Sequence, residues 1–143
     1  MINLKNLLLI SATAMVLSPA TGWAQMTPAG LWKTIDDETG QEKSLVRIID
    51  NDGIVSGRVE KSLVNDPKSI KVCNLCTDDR KDKMIVGMEI IRGVSRSKET
   101  DGLWDGGEIL DPQKGKLYRV RLTPIEGGRK LEVRGYIGLP LVG

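Results

Sequence analysis

The sequence predicts an all-β protein, a small antiparallel up-and-down β-barrel. Three observations favour this class: short runs with β-branched residues alternate in polarity, turns rich in Gly, Pro, Asn and Asp separate them, and no stretch suits a crossover helix. Parallel strands need such crossovers, so we expect antiparallel pairing in chain order. A long meander tends to close into a barrel because closure removes exposed edges, and a two-sheet sandwich is the alternative.

The first 24 residues are expected to be a signal peptide that is cleaved, which leaves residues 25–143 as a single domain. Lys5 precedes an apolar run of 11 residues, and Gly22-Trp23-Ala24 offers small residues for cleavage before Gln25. Eleven apolar residues are too few for a transmembrane helix, which needs about 20. The sequence therefore predicts an exported protein with no membrane span, periplasmic or, as the alternative, secreted.

The composition argues against several functions. The chain has 21 Lys and Arg against 19 Asp and Glu, a balance that gives no support for nucleic acid or an anionic membrane as the main partner. It has no His, which removes His-based catalytic triads and nearly all His-containing zinc sites. We therefore predict no enzyme activity, no cofactor and no metal site.

Seven strands are expected in chain order. The third shows the clearest alternation, with Val55, Gly57 and Val59 on one face and charged or polar residues on the other. The fourth is apolar on both faces, so a short buried helix is the alternative there. The predicted strands span residues 30–36, 44–50, 54–64, 84–94, 103–111, 116–124 and 129–138.

Turn and glycine positions are assigned structural roles. Asp111 is expected to cap the turn before Pro112. Glycines inside strands suit positions where a strand bends sharply or carries a bulge. The residues given such roles are Gly30, Gly106, Gly107, Asp111, Pro112 and Gly135.

The only two cysteines, Cys73 and Cys76, lie in a polar loop at residues 65–83. In an oxidising compartment a disulfide is the default pairing. A redox Cys-x-x-Cys would start an apolar-periodic helix within a βαβ unit, and neither is found here. A loop of 19 residues is long for a compact domain, so it is a functional flap or holds a short helix.

Three carboxylates in the fifth strand, Asp105, Glu108 and Asp111, suggest a hydrolase pair. In a regular strand Asp105 and Asp111 share a face about 20 Å apart, whereas glycosidase pairs need roughly 5–10 Å. Glu108 points to the other face unless Gly106 and Gly107 carry a bulge. The spacing therefore argues against catalysis.

Five motifs carry a resemblance to a known family. Gly30-Leu31-Trp32 is similar to the Gly-x-Trp opening of lipocalins, whose Trp plugs the closed end of the barrel. The others are Cys73-x-x-Cys76, Trp104-x-Gly-Gly107-x-Ile109-Leu-Asp-Pro112, Gly115-Lys-x-Tyr118 and Leu131-x-Val-Arg134-Gly-Tyr-Ile-Gly138. Together they resemble a family of small bacterial exported proteins, the domain of unknown function two-one-four-seven. The resemblance implies a lipocalin-like (calycin) barrel and no established chemistry.

The sequence departs from this family at its end. The family pattern continues past the Tyr-Ile-Gly motif through a Gly-Arg-Thr-x-x-Trp segment, whereas this sequence ends Leu139-Pro-Leu-Val-Gly143. The resemblance thus implies a barrel that lacks its last strand. It also implies the loss of an Arg on that strand, which in lipocalin-like barrels packs against the first-strand Trp. A truncated reading is favoured over a naturally open barrel of seven strands.

The leading hypothesis is a non-enzymatic exported module that binds an apolar or amphipathic small molecule or an envelope component. The alternatives are an envelope interaction protein that uses a sheet edge or the cysteine loop, and a thiol-disulfide redox protein. Trp32 and Trp104 could plug the core or stack on a ligand. Arg119, Arg121 and Arg134 could form a basic patch for an anionic ligand or a solvated outer face. The candidate ligand-binding residues are Trp32, Trp104, Tyr118, Arg119 and Arg134.

Overall fold

Seven strands form where apolar and polar residues alternate. The computed structural model describes residues 26–137, which pair antiparallel in chain order and curl into a nearly closed barrel, as predicted. A short 3-10 turn at Glu126–Gly128 joins the last two strands. The strands are β1 (Gly30–Ile35), β2 (Glu42–Asn51), β3 (Ile54–Ser62), β4 (Glu89–Arg96), β5 (Trp104–Asp111), β6 (Lys116–Ile125) and β7 (Lys130–Tyr136).

The core lies on the inner face of this sheet. Val55, Gly57 and Val59 of β3 are buried while Arg58 and Glu60 are exposed, so the predicted alternation is confirmed. Val120 and Leu122 of β6 are likewise fully buried. Because these side chains come from strands far apart in sequence, one continuous apolar cluster holds the barrel together.

The fourth predicted strand is wrong in its bounds. Residues 84–88 belong to the preceding loop, and β4 begins only at Glu89. The sequence misled because Ile90 and Ile91 are both buried: the register against β3 shifts between Arg58↔Glu89 and Gly57↔Ile91, which leaves an extra residue in β4. The chain is apolar on both faces there because of a bulge, and the helix alternative is also wrong.

Gly106 and Gly107 form a bulge, which was one of the two alternatives for this part of the fifth strand. The register between β5 and β6 shifts between Trp104 and Gly107, and Gly106 has a φ of +84°. A Cβ at Gly107 would overlap the carbonyl oxygen of Arg92 on β4, so the two strands approach too closely there for any side chain. Glycine is therefore required at this crossing of β4 and β5.

One end of the barrel is closed by tryptophan. Trp32 donates a hydrogen bond from Nε1 to the carbonyl oxygen of Pro28 at 2.7 Å, and Pro28 is itself buried. Trp104 is buried opposite Leu122, and the guanidinium of Arg96 lies 5.1 Å from its ring centroid. These contacts fix β1 and β5 at the end where both strands begin.

β7 is an edge strand within residues 26–137. Leu131 packs against the core, but Val133 and Ile137 on the same apolar face are exposed because only β6 pairs with β7 in this part of the chain. The predicted signal peptide, residues 1–24, lies outside the described residues. Residues 138–143 also lie outside them, so the predicted lack of a last strand stays a prediction.

Candidate functional site

A cavity of about 620 Å³ opens at the end of the barrel opposite the tryptophans. β1 and β3 end here, and β2 begins here, so the inner face of the sheet meets solvent between the connecting turns. The volume falls within the roughly 300–1,000 Å³ of typical small-molecule sites. Its residues are Thr34, Ile35, Asp36, Asp37, Lys43, Ser44, Val59, Ser62, Val64, Ser69, Ile70, Lys71, Met84, Ile85, Val86, Ile90, Asp111, Pro112 and Gln113.

The wall of the cavity is mainly aliphatic. Val59 and Ile90 are buried side chains on β3 and β4, and Ile85 packs against the same core. Thr34 and Ser44 face each other across β1 and β2, with their hydroxyl oxygens 2.8 Å apart. Because these two hydroxyls can hydrogen-bond to each other and the rest of the wall is aliphatic, this part of the cavity favours the apolar part of a ligand.

Charged groups are confined to the mouth. Asp36 accepts hydrogen bonds from the main-chain N–H and the hydroxyl of Thr39 and from the main-chain N–H of Glu38, and these bonds lower the pKa of its carboxyl group. Lys43 lies 3.9 Å from the same carboxylate. Asp111 accepts from the N–H groups of the two residues after Pro112, so it caps the turn as predicted. The mouth is thus polar where the interior is not.

The cysteine loop forms one side of the mouth. Cys73 and Cys76 are joined in a disulfide and both are buried. Cys73 donates its main-chain N–H to Lys83 and accepts from Asp82, which ties the two arms of the loop together. The Sγ of Cys73 also lies 3.4 Å from the carbonyl oxygen of Pro112, so the bridge rests against the β5–β6 turn.

An ion pair of the buried Arg80 holds the same loop to β4. The guanidinium of Arg80 binds the carboxylate of Asp78 and donates to the carbonyl oxygen of Glu89 at 2.8 Å. This pairing lowers the pKa of Asp78 to about 2. Next to it, Arg92 binds the exposed carboxylate of Asp79 through two nitrogens. These ion pairs of Asp78 and Asp79 therefore anchor the loop to β4.

The predicted ligand-binding residues lie away from the large cavity. Trp32 and Trp104 lie at the closed end, and Tyr118 lines a smaller recess of about 280 Å³ that shares Asp111 with the larger cavity. Gly135 lies in the same recess, where a Cβ would come 3.2 Å from that of Tyr118. Their role in binding stays a prediction.

The arginines project from the outer face of β6 and β7. Arg121 pairs directly with Arg134, and the guanidinium of Arg121 lies 5.6 Å from the ring centroid of Tyr136. Arg119 follows on the same face. The structure thus brings the three together on the outer surface of the barrel, and their role in binding stays a prediction.

The three carboxylates of β5 do not meet. The bulge at Gly106 shifts the register, yet Glu108 remains exposed between Arg92 and Arg119 of the neighbouring strands. Asp105 pairs with Ser95, and only Asp111 reaches the cavity. Among residues 26–137, no group of three or more carboxylate or thiol side chains is placed to hold a metal ion.

Sequence reasoning missed most of the cavity wall. Ile70, Met84, Ile85 and Val86 reach it from the loop, where no regular period marks them. Met84 pairs with Val72 in an isolated bridge, so the wall depends on contacts inside a loop. The one available sign was its length, which suggested a functional flap. The described residues of the loop contain no helix.

A barrel closed at one end by a Gly-x-Trp segment, with a cavity at the other, defines a lipocalin-like fold. The solved structure of protein HP1028 from the human pathogen Helicobacter pylori, which belongs to the lipocalin family, is similar to this chain. The TM-score is 0.61 and the identity 19%, over 80% of each chain. At that identity the similarity shows the fold alone.

The chain belongs to the bacterial family described as "Uncharacterized protein conserved in bacteria (DUF2147)", which residues 30–143 match. The resemblance read from the five motifs is therefore confirmed. A comparison with curated proteins found no match. Among the residues described, none of the helices is long and apolar enough to cross a membrane.

Proposed function

We propose that this protein is an exported, non-enzymatic module that binds an apolar or amphipathic small molecule, or an envelope component, in the cavity at the open end of the barrel. The observation that carries the proposal is the cavity itself: about 620 Å³ with an aliphatic wall and charges restricted to the mouth. An amphipathic ligand would bury its apolar part against Val59, Ile85 and Ile90 and keep its polar end at the mouth.

Export is supported by the disulfide and by the sequence of residues 1–24, whose pattern is typical of a signal peptide. A buried Cys73–Cys76 bridge suits an oxidising compartment such as the periplasm, with secretion as the alternative. Fractionation of cells that express the tagged full-length protein tests this directly. Recovery of the unprocessed chain in the cytoplasm would contradict export.

Ligand binding can be tested with a variant that fills the cavity. Ser44 lines the cavity on β2, and Ser44→Phe should reduce uptake of an apolar fluorescent probe such as anilinonaphthalene sulfonate at least tenfold. Ser56 on β3 is equally half-buried but does not line the cavity, so Ser56→Phe is the matched control. Native mass spectrometry of the gently purified protein should show a co-purified ligand that Ser44→Phe loses.

Two results would sink the proposal. One is a wild-type protein that takes up no probe and carries no ligand. The other is equal loss of uptake in both variants when circular dichroism shows both to be folded. Because Trp32 and Trp104 lie at the closed end, quenching of their fluorescence is a less direct readout than the probe.

A second candidate function is protein–protein interaction through β7. Within residues 26–137 this strand has a free edge, and the apolar Val133 on it and Ile137 just after it are exposed. A partner strand could add there by main-chain hydrogen bonding. Crosslinking in cells from a cysteine placed at Glu132 should then capture a partner protein, whereas monomer alone would count against this candidate.

A further inference from the structure

Two facing segments of the cysteine loop form a tip beside the cavity mouth. They are residues 68–71, Lys-Ser-Ile-Lys, and residues 83–86, Lys-Met-Ile-Val, and together we call them the mouth tip. Ile85 donates its main-chain N–H to the carbonyl oxygen of Lys71 at 2.9 Å, which holds the segments side by side. Both segments also contribute to the cavity wall.

The mouth tip exposes apolar side chains. Met84 is 63% exposed, Val86 46% and Ile70 43%, although all three reach the rim of the cavity. Ile85 of the same tip packs against the core, so the exposed residues are carried on an anchored segment. Contiguous exposed apolar surface in a folded protein marks a place of contact with a protein or a membrane.

The mouth tip is also basic. It carries Lys68, Lys71 and Lys83 and no acidic residue, whereas the chain as a whole is nearly balanced. Within residues 26–137 the ion pairs of lysine involve Lys33, Lys43, Lys81 and Lys130, and none of the three tip lysines. None of the three tip lysines is therefore held in an ion pair in the described part of the chain, while Asp36, Asp37 and Asp111 line the cavity beside them.

We propose that the mouth tip docks on a phospholipid membrane surface that carries anionic headgroups. Exposed aliphatic side chains flanked by lysines fit the boundary between acyl chains and headgroups, since the apolar groups enter the boundary and the ammonium groups meet phosphates. Docking would turn the cavity mouth towards the lipid. The inference rests on the proposed function only for the passage of a ligand, because docking itself needs no occupied cavity.

Co-sedimentation with phospholipid vesicles tests the docking. The full-length mature protein should bind vesicles of phosphatidylcholine with phosphatidylglycerol more tightly than phosphatidylcholine alone, and added salt should weaken the difference. Substitution of one tip lysine, as in Lys71→Gln, should weaken binding to the anionic vesicles about fivefold. The double variant Ile70→Ser/Met84→Ser should lose at least about tenfold on both vesicles.

A matched pair at the opposite end serves as control. Ile49 and Ile54 flank the turn between β2 and β3 and are 44% and 50% exposed, against 43% for Ile70 and 63% for Met84. Ile49→Ser/Ile54→Ser should therefore bind vesicles like the wild type. Equal loss in both double variants would overturn the proposal, as would a wild-type dimer in light scattering that Ile70→Ser/Met84→Ser dissociates.

The two experiments distinguish failure of the docking proposal from failure of the proposed function. Probe uptake with no binding to either vesicle overturns docking and leaves the binding module standing. Vesicle binding with no probe uptake overturns the binding module and leaves the docking surface standing. Thermal unfolding midpoints equal to wild type establish that the serine variants are folded, which is expected because all four side chains are exposed.

Discussion

Asp78→Asn should destabilise the protein far more than Asp79→Asn. Arg80 is only 5% exposed, and its charge is balanced by Asp78, whose side chain is 30% exposed. Asp78→Asn keeps the shape and one acceptor oxygen, but it removes the negative charge that pairs with the buried guanidinium of Arg80. Asp79→Asn removes a carboxylate that is 66% exposed in its pair with Arg92.

The expected loss of unfolding free energy in Asp78→Asn follows from the pKa of Asp78. Its fall from 3.8 to about 2 corresponds to about 2 kcal/mol of stabilisation at neutral pH, at ~1.4 kcal/mol per pKa unit. Breaking a fully buried pair costs about 3–5 kcal/mol, and partial exposure of Asp78 places the expected loss at about 2–3 kcal/mol. Asp79→Asn should cost at most about 1 kcal/mol, as exposed pairs do.

The pH dependence gives a second measure of the same interaction. The folded-state pKa of Asp78 is lowered, so its contribution is complete above about pH 4 and disappears as the pH falls through about 2. The difference in unfolding free energy between wild type and Asp78→Asn should therefore shrink over that range. Urea unfolding followed by circular dichroism measures this difference at each pH.

Hydrogen exchange separates local from global loss. The N–H groups of Cys73 and Asp82 bond across the loop, so faster exchange there with an unchanged midpoint would locate the damage in the loop. An Asp78→Asn variant within about 0.5 kcal/mol of wild type, with unchanged exchange, would refute a stabilising role for the Asp78–Arg80 pair. Equal losses in Asp79→Asn and Asp78→Asn would also refute it.

Three other substitutions have defined outcomes. Gly115→Ala should cost about 2 kcal/mol or more by urea unfolding, because a Cβ would overlap the main chain of the cysteine loop, whereas Gly102→Ala, also at positive φ but in open space, should cost about 1 kcal/mol. Equal losses would contradict this. Cys73→Ser/Cys76→Ser should lower stability by about 2 kcal/mol and weaken probe uptake, and a reduction potential above about −300 mV would instead favour a redox role. Trp32→Phe should cost about 1 kcal/mol through its lost hydrogen bond, and an unchanged midpoint would contradict a structural role for that bond.

The local pattern predicted the strands whose two faces differ. Val55 and Val59 alternate with Arg58 and Glu60, and the structure buries the first pair and exposes the second. The Asp111 turn was also readable, because a carboxylate before Pro caps the main chain through contacts only two or three residues away. These features depend on near neighbours, which a sequence displays directly.

The start of β4 could not be read in the same way. Residues 84–94 looked like one strand because the run is apolar throughout. In the structure Met84 pairs with Val72 in the loop, and a bulge opposite Gly57 buries both Ile90 and Ile91. A register shift is set by the partner strand, so the period of a single strand cannot reveal it.

By itself, the sequence determined the class of fold, the chain order of the strands and the resemblance to a bacterial family, since all three depend on local alternation, turn residues and motifs. Only the tertiary structure decided where a ligand could bind. The cavity joins Thr34, Ile70 and Asp111, which are far apart in the chain and meet because the sheet curls until its ends converge. For the same reason Trp32 and Trp104, predicted as ligand contacts, lie at the opposite, closed end.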